Sequence, residues 1–227
     1  SEMHFSLFQA LPQSATFIGK VHQDIAGTVS IVPDTKMGLP ADEIYKHELQ
    51  ELRNKDVTIA EVTKLADRRR NLRRRMPLLT KLMKLVLDYT RSVLKADELC
   101  IAVHPDHKGF YEKYLLFEPF GEEREYPSVE HHPAVCMRLN LERAKQTCRE
   151  YPRLWNKFFA NYTPRQMLDD RYRFTPQTLR RFFFFEMQLL QHAPRETRDF
   201  LRKRYMRECN WKQEDWQELW LCQKPNQ

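Results

Sequence analysis

Hydrophobic and polar positions along this chain follow two periods, and the change from one to the other marks out its elements. Residues 15–19 (ATFIG) and 28–32 (TVSIV) alternate with a period of two and carry β-branched side chains, with turn formers at 23–27 between them; they predict a β-hairpin. A turn-rich loop, PDTKMGLP at 33–40, leads into 41–53, where Ile44, Tyr45, Leu49 and Leu52 fall on one side of a short helix. Residues 57–65 (VTIAEVTKL) alternate again and read as a central strand. Residues 77–94 place Leu78, Leu82, Leu85, Val86, Tyr89 and Val93 at helical spacing. A short apolar run at 99–103, a Pro-containing turn, an amphipathic segment at 107–114 and a second apolar run then predict strand, turn, helix, strand. Phe110 and Tyr114, four apart, share one side of that helix, and Tyr111 sits one residue round, open to a role outside the core. Residues 134–141 (AVCMRLNL) close the series as a strand.

From 142 to 222 the pattern is helical throughout. Thr163-Pro164-Arg165-Gln166 and Thr175-Pro176-Gln177-Thr178 each offer a threonine cap followed by proline at the first helical position. Helices of roughly 10 to 16 residues are expected near 164–170, 176–191, 195–208 and 211–221. Phe182 to Phe185 make one of them apolar on every side, which suits burial on several faces or a surface for a partner or a long acyl chain. The pattern predicts an α/β (α+β) fold with a mixed central sheet over 1–141 and an α-helical extension over 142–227.

Composition changes this picture little. With 227 residues, 41% hydrophobic and 30% charged, the chain can bury a sizeable core and is not a disordered polymer. No apolar run approaches a membrane span, and the N-terminus lacks the basic, apolar, small-residue order of a signal peptide, so the expected compartment is the cytoplasm. Five scattered cysteines, Cys100, Cys136, Cys148, Cys209 and Cys222, with no C-x-x-C pair, read as reduced thiols and not as a disulfide or zinc framework.

Charge is more informative. Basic and acidic residues balance over 1–141, so the whole +7 excess falls in 142–227. Within the balanced part lies one dense run, Arg68, Arg69, Arg70, Arg73, Arg74 and Arg75, which points to an anionic partner. Nucleic acid is disfavoured, since no zinc-finger spacing, helix-turn-helix glycine or RNP-type aromatic strand accompanies the run. The basic, weakly amphipathic 195–207 segment suits peripheral membrane or carrier docking as well as a solvated face. His131-His132 lacks any companion carboxylate or histidine at ligand spacing, so no metal is expected. Glu61 stands among Ile59, Val62 and Leu65. It either points to the solvent face of the strand or, if buried, has its pKa raised toward the range of a general base.

One stretch carries a family resemblance. His104-Pro105-Asp106-His107, Phe110-Tyr111, Leu116-Phe117-Glu118-Pro119, Gly121, Arg124-x-Tyr126 and Pro133-Ala134-Val135 resemble the end of the GNAT acyltransferase fold. Within that superfamily they resemble the FeeM-like N-acyl amino acid synthases, related to the acyl-homoserine lactone synthases. The P-D-x-x-x-G-L-P loop resembles the same branch. Thr63 and Lys64 stand where the branch usually has Ser-Arg after the glutamate, which keeps the charge and loses the bidentate fork. A full GNAT domain also has a strand and two helices ahead of the hairpin, for which there are too few residues here.

The resemblance implies transfer of a long-chain acyl group from an acidic acyl carrier protein to the amine of an amino acid, with no tightly bound cofactor. It implies Glu61 as the base, backbone N–H groups of Thr63, Lys64 and Leu65 as carbonyl donors, and Tyr111 as the acid to the thiolate. His107, Phe110, Arg124 and Tyr126 would line the cleft. Acetyl-CoA-dependent GNATs use a Gly-rich loop for pyrophosphate, but this chain has no glycine between Gly38 and Gly109. The arginines suit instead a phosphopantetheine carried on an acidic protein, with acyl-CoA as the other donor. A non-catalytic GNAT-like protein that binds a carrier, a lipid or another protein is the competing reading, and a nucleic-acid-binding regulator ranks below it.

Overall fold

The computed structural model of the chain describes residues 6–68, 72–160 and 173–221. The chain divides into two compact units, Ala15–Leu168 and Ser1–Ser14 with Asp169–Gln227. The division falls beyond the boundary expected at 141. Residues just past 141 still contribute Ala144, Cys148, Phe158 and Phe159 to the core beneath the sheet.

The first unit is a seven-stranded mixed sheet: β1 (Ala15–Val21), β2 (Asp24–Pro33), β3 (Ile59–Asp67), β4 (Glu98–Val103), β5 (Glu118–Pro119), β6 (Arg124–Tyr126) and β7 (His132–Asn140). Their order is β1-β2-β3-β4-β7-β5, with β6 also on β7. All neighbours are antiparallel except β3 and β4, which run parallel. The parallel pair needs a crossover, and α2 (Leu72–Tyr89) supplies it, with a π-helical turn over Thr90–Leu94. This helix starts earlier than its apolar period suggested and holds Pro77 inside it.

Alternation along the strands sorts the side chains onto two faces. Val29, Ile31, Ala60, Val62, Leu99, Ile101, Val135, Met137 and Leu139 meet Leu82, Met83 and Val86 of α2, Tyr111 of α3 (Lys108–Leu115), and residues of α4 (Leu141–Glu150) and α5 (Pro152–Phe158). On the opposite face Glu61 lies under the start of α1 (Asp42–Arg53), which buries Tyr45, Leu49 and Leu52. No strand precedes β1 among the described residues.

In the second unit a 3-10 turn, Leu7–Ala10, accompanies the C-terminal helices. Buried Tyr205 of α8 (Arg195–Glu208) donates its hydroxyl to Ala10 O at 2.8 Å and packs on Trp211, ring centroids 4.3 Å apart. The N-terminal lead-in is therefore part of this helical unit. The Thr175 cap forms as read, accepting the Thr178 N–H at 3.2 Å. The helix expected over 176–191 breaks up, however, into α6 (Pro176–Leu179), a π-helical turn (Arg180–Glu186) and α7 (Leu189–His192), with Gln188 in the left-handed region at φ 52°. Four consecutive phenylalanines cannot all face one core: Phe183 is buried and Phe185 exposed. The final helix, α9 (Gln213–Leu221), lies where its period placed it. The Thr163 cap, the 164–170 helix and Cys222 lie outside the described residues. Among those described, no helix is long and apolar enough to cross a membrane.

Candidate active site

The sheet opens at its parallel joint. The β3–β4 ladder pairs Ile59 with Glu98, Ala60 with Leu99 and Glu61 with Cys100, then stops, although β3 continues to Asp67 and β4 to Val103. Beyond Glu61 the two strands part in a wedge, and among the described residues no further β3–β4 ladder pair follows. On its other side, Ser30 pairs with Thr63 but Thr28 pairs with Ala66, so β3 carries one extra residue. That is a β-bulge, with Lys64 in the left-handed region at φ 53°. The backbone of Lys64 and Leu65, between the paired Thr63 and Ala66, is thus turned out of regular pairing beside the wedge.

Glu61 marks the wedge's apex. Its carboxyl is 2% exposed, settling the sequence ambiguity in favour of burial. Burial pushes its pKa up to about 8, and the negative charge of Asp42 adds to the rise. Against these, the Ala41 N–H donates to Oε2 at 2.8 Å and favours the carboxylate. A buried carboxyl in this range can exchange a proton with an amine near neutral pH, which an exposed glutamate cannot do efficiently.

The loop that brings Ala41 to Glu61 is held by a clamp invisible in the sequence pattern. Arg53 donates to Asp34 at 2.6 and 3.0 Å and to Asp42 at 2.7 and 2.7 Å. Asp42 in turn accepts the Leu39 N–H at 2.6 Å. In a straight helix eleven residues rise about 16 Å, too far for Asp42 to reach Arg53. The backbone breaks at Tyr45 (φ −122°, ψ 28°), folding the first turn back. Asp34 and Gly38, both in the P-D-x-x-x-G-L-P loop, were the available signal.

Tyr111 belongs to the other face. It is 8% exposed, its ring lies edge-on to Phe110 and Phe117, and burial raises its pKa to about 12. Its hydroxyl makes no hydrogen bond among the described residues, so it is a proton donor without an internal acceptor. Phe110 is half-buried and packs between Tyr111 and Tyr114. His107 is exposed and its side chain caps nothing; the cap of the preceding turn is His104, whose Nδ1 accepts the Asp106 N–H at 3.3 Å.

Arg124 and Tyr126 are engaged elsewhere than with open cleft. Arg124 binds Glu48 and the Ile44 carbonyl and stacks over the Tyr45 ring, and Tyr126 donates to Pro40 O at 2.9 Å. Tyr45 donates to Glu122 O at 2.8 Å and Ala134 O at 2.6 Å. These bonds fasten α1 to β6 and β7. Of the arginine run, Arg68 is exposed just past β3; Arg69 and Arg70 lie outside the described residues, as do the side chains of Arg73, Arg74 and Arg75. His131 and His132 are exposed, near Glu125 (3.7 Å) and Glu130 (3.9 Å) respectively.

The mixed sheet, split at its parallel joint with a bulge beside the split, is that of a GNAT-like acyltransferase, the class to which the comparisons assign it. The N-acyl amino acid synthase FeeM family model matches residues 1–140, and the chain belongs to that family. Among solved structures, FeeM from uncultured soil microbes is 30% identical, with 60% of this chain and 76% of that one covered at a TM-score of 0.52. The acyl-homoserine lactone synthase BjaI, solved with SAM and isopentyl-CoA, is 14% identical over 66% and 67% of the two chains (TM-score 0.47). A GNAT-family acetyltransferase from Streptococcus pneumoniae is 14% identical over 59% and 70% (TM-score 0.40). Comparison with curated proteins found no match.

Proposed function

We propose that this acyltransferase moves a long-chain acyl group from acyl carrier protein to the amine of an amino acid. The observation that carries the reading is Glu61, a dry carboxyl with a pKa near 8 at the apex of the wedge. The thioester lies in the wedge, its carbonyl oxygen facing the bulged backbone of Thr63, Lys64 and Leu65. Glu61 accepts a proton from the ammonium, directly or through water. The freed amine attacks the carbonyl carbon, the C–S bond breaks, and Tyr111 gives its proton to the departing thiolate; the second proton that the nitrogen sheds as the amide forms passes to water, from which Tyr111 is reprotonated.

The arginines following β3, in a stretch with no glycine, favour a single phosphate on an acidic carrier over the pyrophosphate of coenzyme A. We assign this chemistry to residues up to 141. Incubating the protein with carrier loaded with chains of about C12 to C16 and mixed amino acids, with matched acyl-CoA in parallel, should yield acyl-amino acids by mass, faster from the carrier. No product from either donor would refute the reading. Thr63-Lys64 in place of Ser-Arg favours a second reading, a carrier- or lipid-binding protein, which predicts saturable carrier binding with no product.

A further inference from the structure

The bond that favours the Glu61 carboxylate has a second half. Ala41 N–H, which donates to Glu61 at 2.8 Å, shares one peptide group with Pro40 C=O, and that carbonyl accepts the Tyr126 hydroxyl at 2.9 Å. The two hydrogen bonds therefore run in series through a single peptide, joining residues 65 positions apart in the chain. A donor on a peptide carbonyl polarises the group and strengthens its N–H as a donor, and the effect grows in a dry interior. Glu61 and Tyr126 are both buried.

We propose that Tyr126 is a positioning residue for acyl transfer: its hydroxyl grips the Pro40–Ala41 peptide and aims the Ala41 N–H at Glu61. This deepens, and rests on, the reading of Glu61 as the base. The ionisable groups facing Glu61 are Asp42 at the start of α1, Tyr126 on β6, Cys100 on β4 and Cys136 on β7. Asp42 opposes the carboxylate, and burial keeps both thiols protonated, so none of these neighbours supplies a positive charge. The peptide amide is the group that favours ionisation, and Tyr126 holds it from behind while Arg53 and Asp42 hold Leu39 beside it.

Tyr45 provides the control. Its hydroxyl also fastens α1 to the sheet, through Glu122 O and Ala134 O, yet touches neither side of the Pro40–Ala41 peptide. The Glu61 titration is read by carboxyl carbon NMR on the full chain labelled at glutamate, with the resonance assigned by its loss in Glu61→Gln. Tyr126→Phe should raise the midpoint by about half a pH unit, and Tyr45→Phe should leave it in place. The acid limb of kcat/KM should follow, with activity on that limb falling about threefold and the plateau above it kept.

An unmoved midpoint in Tyr126→Phe, or an equal movement in Tyr45→Phe, would overturn the proposal. A midpoint that rises while the kinetic limb stays in place upholds the grip on Glu61 and overturns instead the reading of Glu61 as the base. Should Tyr126→Phe fail to fold, the wild-type protein decides. The Ala41 amide proton and the Pro40 carbonyl carbon must titrate together with the Glu61 carboxyl, and a flat Pro40 carbonyl would sink the relay.

Discussion

Replacing Glu61 by Gln should make the protein's stability less sensitive to pH while removing its chemistry, and the size follows from where the carboxyl sits. Burial lifts its pKa from 4.5 to about 8. The folded state therefore holds this proton more tightly than the unfolded chain. The resulting stabilisation is complete below about pH 4.5 and is lost as pH rises through about 8. Between about pH 5 and about pH 9, Glu61 alone should lower the unfolding free energy by about 4 kcal/mol. Gln carries no titrating proton, and its side-chain carbonyl can still accept the Ala41 N–H. Denaturant-dependent amide exchange on β3 at the two pH values isolates the sheet-bearing unit. The stability lost by the wild type between them should exceed that lost by Glu61→Gln by about 4 kcal/mol, and acyl transfer by the variant should fall at least about 100-fold. Parallel losses in the two proteins would mean that Glu61 holds no proton in a dry site, and the desolvation argument would fail.

Tyr111→Phe removes a hydroxyl with no hydrogen-bond partner among the described residues, so the unfolding free energy should change by less than about 1 kcal/mol. Steady-state kcat should fall by about 100-fold or more if Tyr111 protonates the thiolate. Arg53→Met leaves Asp34 and Asp42 without their shared partner; the three side chains are 15–21% exposed, and a cost of about 3 kcal/mol is expected in denaturant unfolding.

Two kinds of information were legible in the sequence. The hairpin, central strand, crossover helix and strand-turn-helix after it announced themselves by period, because each buries one face against its neighbours. The candidate site was legible in part, as residue types: Glu61 came from a charge inside an apolar strand, whereas the offset of Tyr111 beside Phe110 suggested a place outside the core and the structure buries it there, leaving Tyr114 exposed. What period cannot carry is backbone departure from regularity. The bulge at Lys64, the break at Tyr45 that lets Arg53 reach Asp42, and the split of β3 from β4 all depend on tertiary packing. Arg124 and Tyr126 were singled out by motif and placed in the cleft. The structure ties them to the Ile44 and Pro40 carbonyls, partners some 80 residues away that no local pattern encodes.

The bulge offers the sharpest separation of fold from function. Deleting Lys64 would leave both flanking registers intact, Thr63 opposite Ser30 and Ala66 opposite Thr28, with Leu65 falling opposite Val29. Leu65 already packs on the core face that Val29 occupies, so in-and-out alternation along β3 becomes regular with no side chain changing face. A residue with positive φ also disappears, removing a backbone cost of about 1 kcal/mol. The fold should thus survive the deletion with unfolding free energy within about 1 kcal/mol of wild type. The backbone N–H groups of the bulge, which the proposed mechanism aims at the thioester carbonyl, would instead return to regular strand geometry. Losing one carbonyl donor of this kind typically costs about 100- to 1,000-fold in turnover. Product formation from acyl carrier, measured beside denaturant unfolding, tests both halves. A stable deletion variant with full turnover would show that the thioester carbonyl is bound elsewhere than at the bulge.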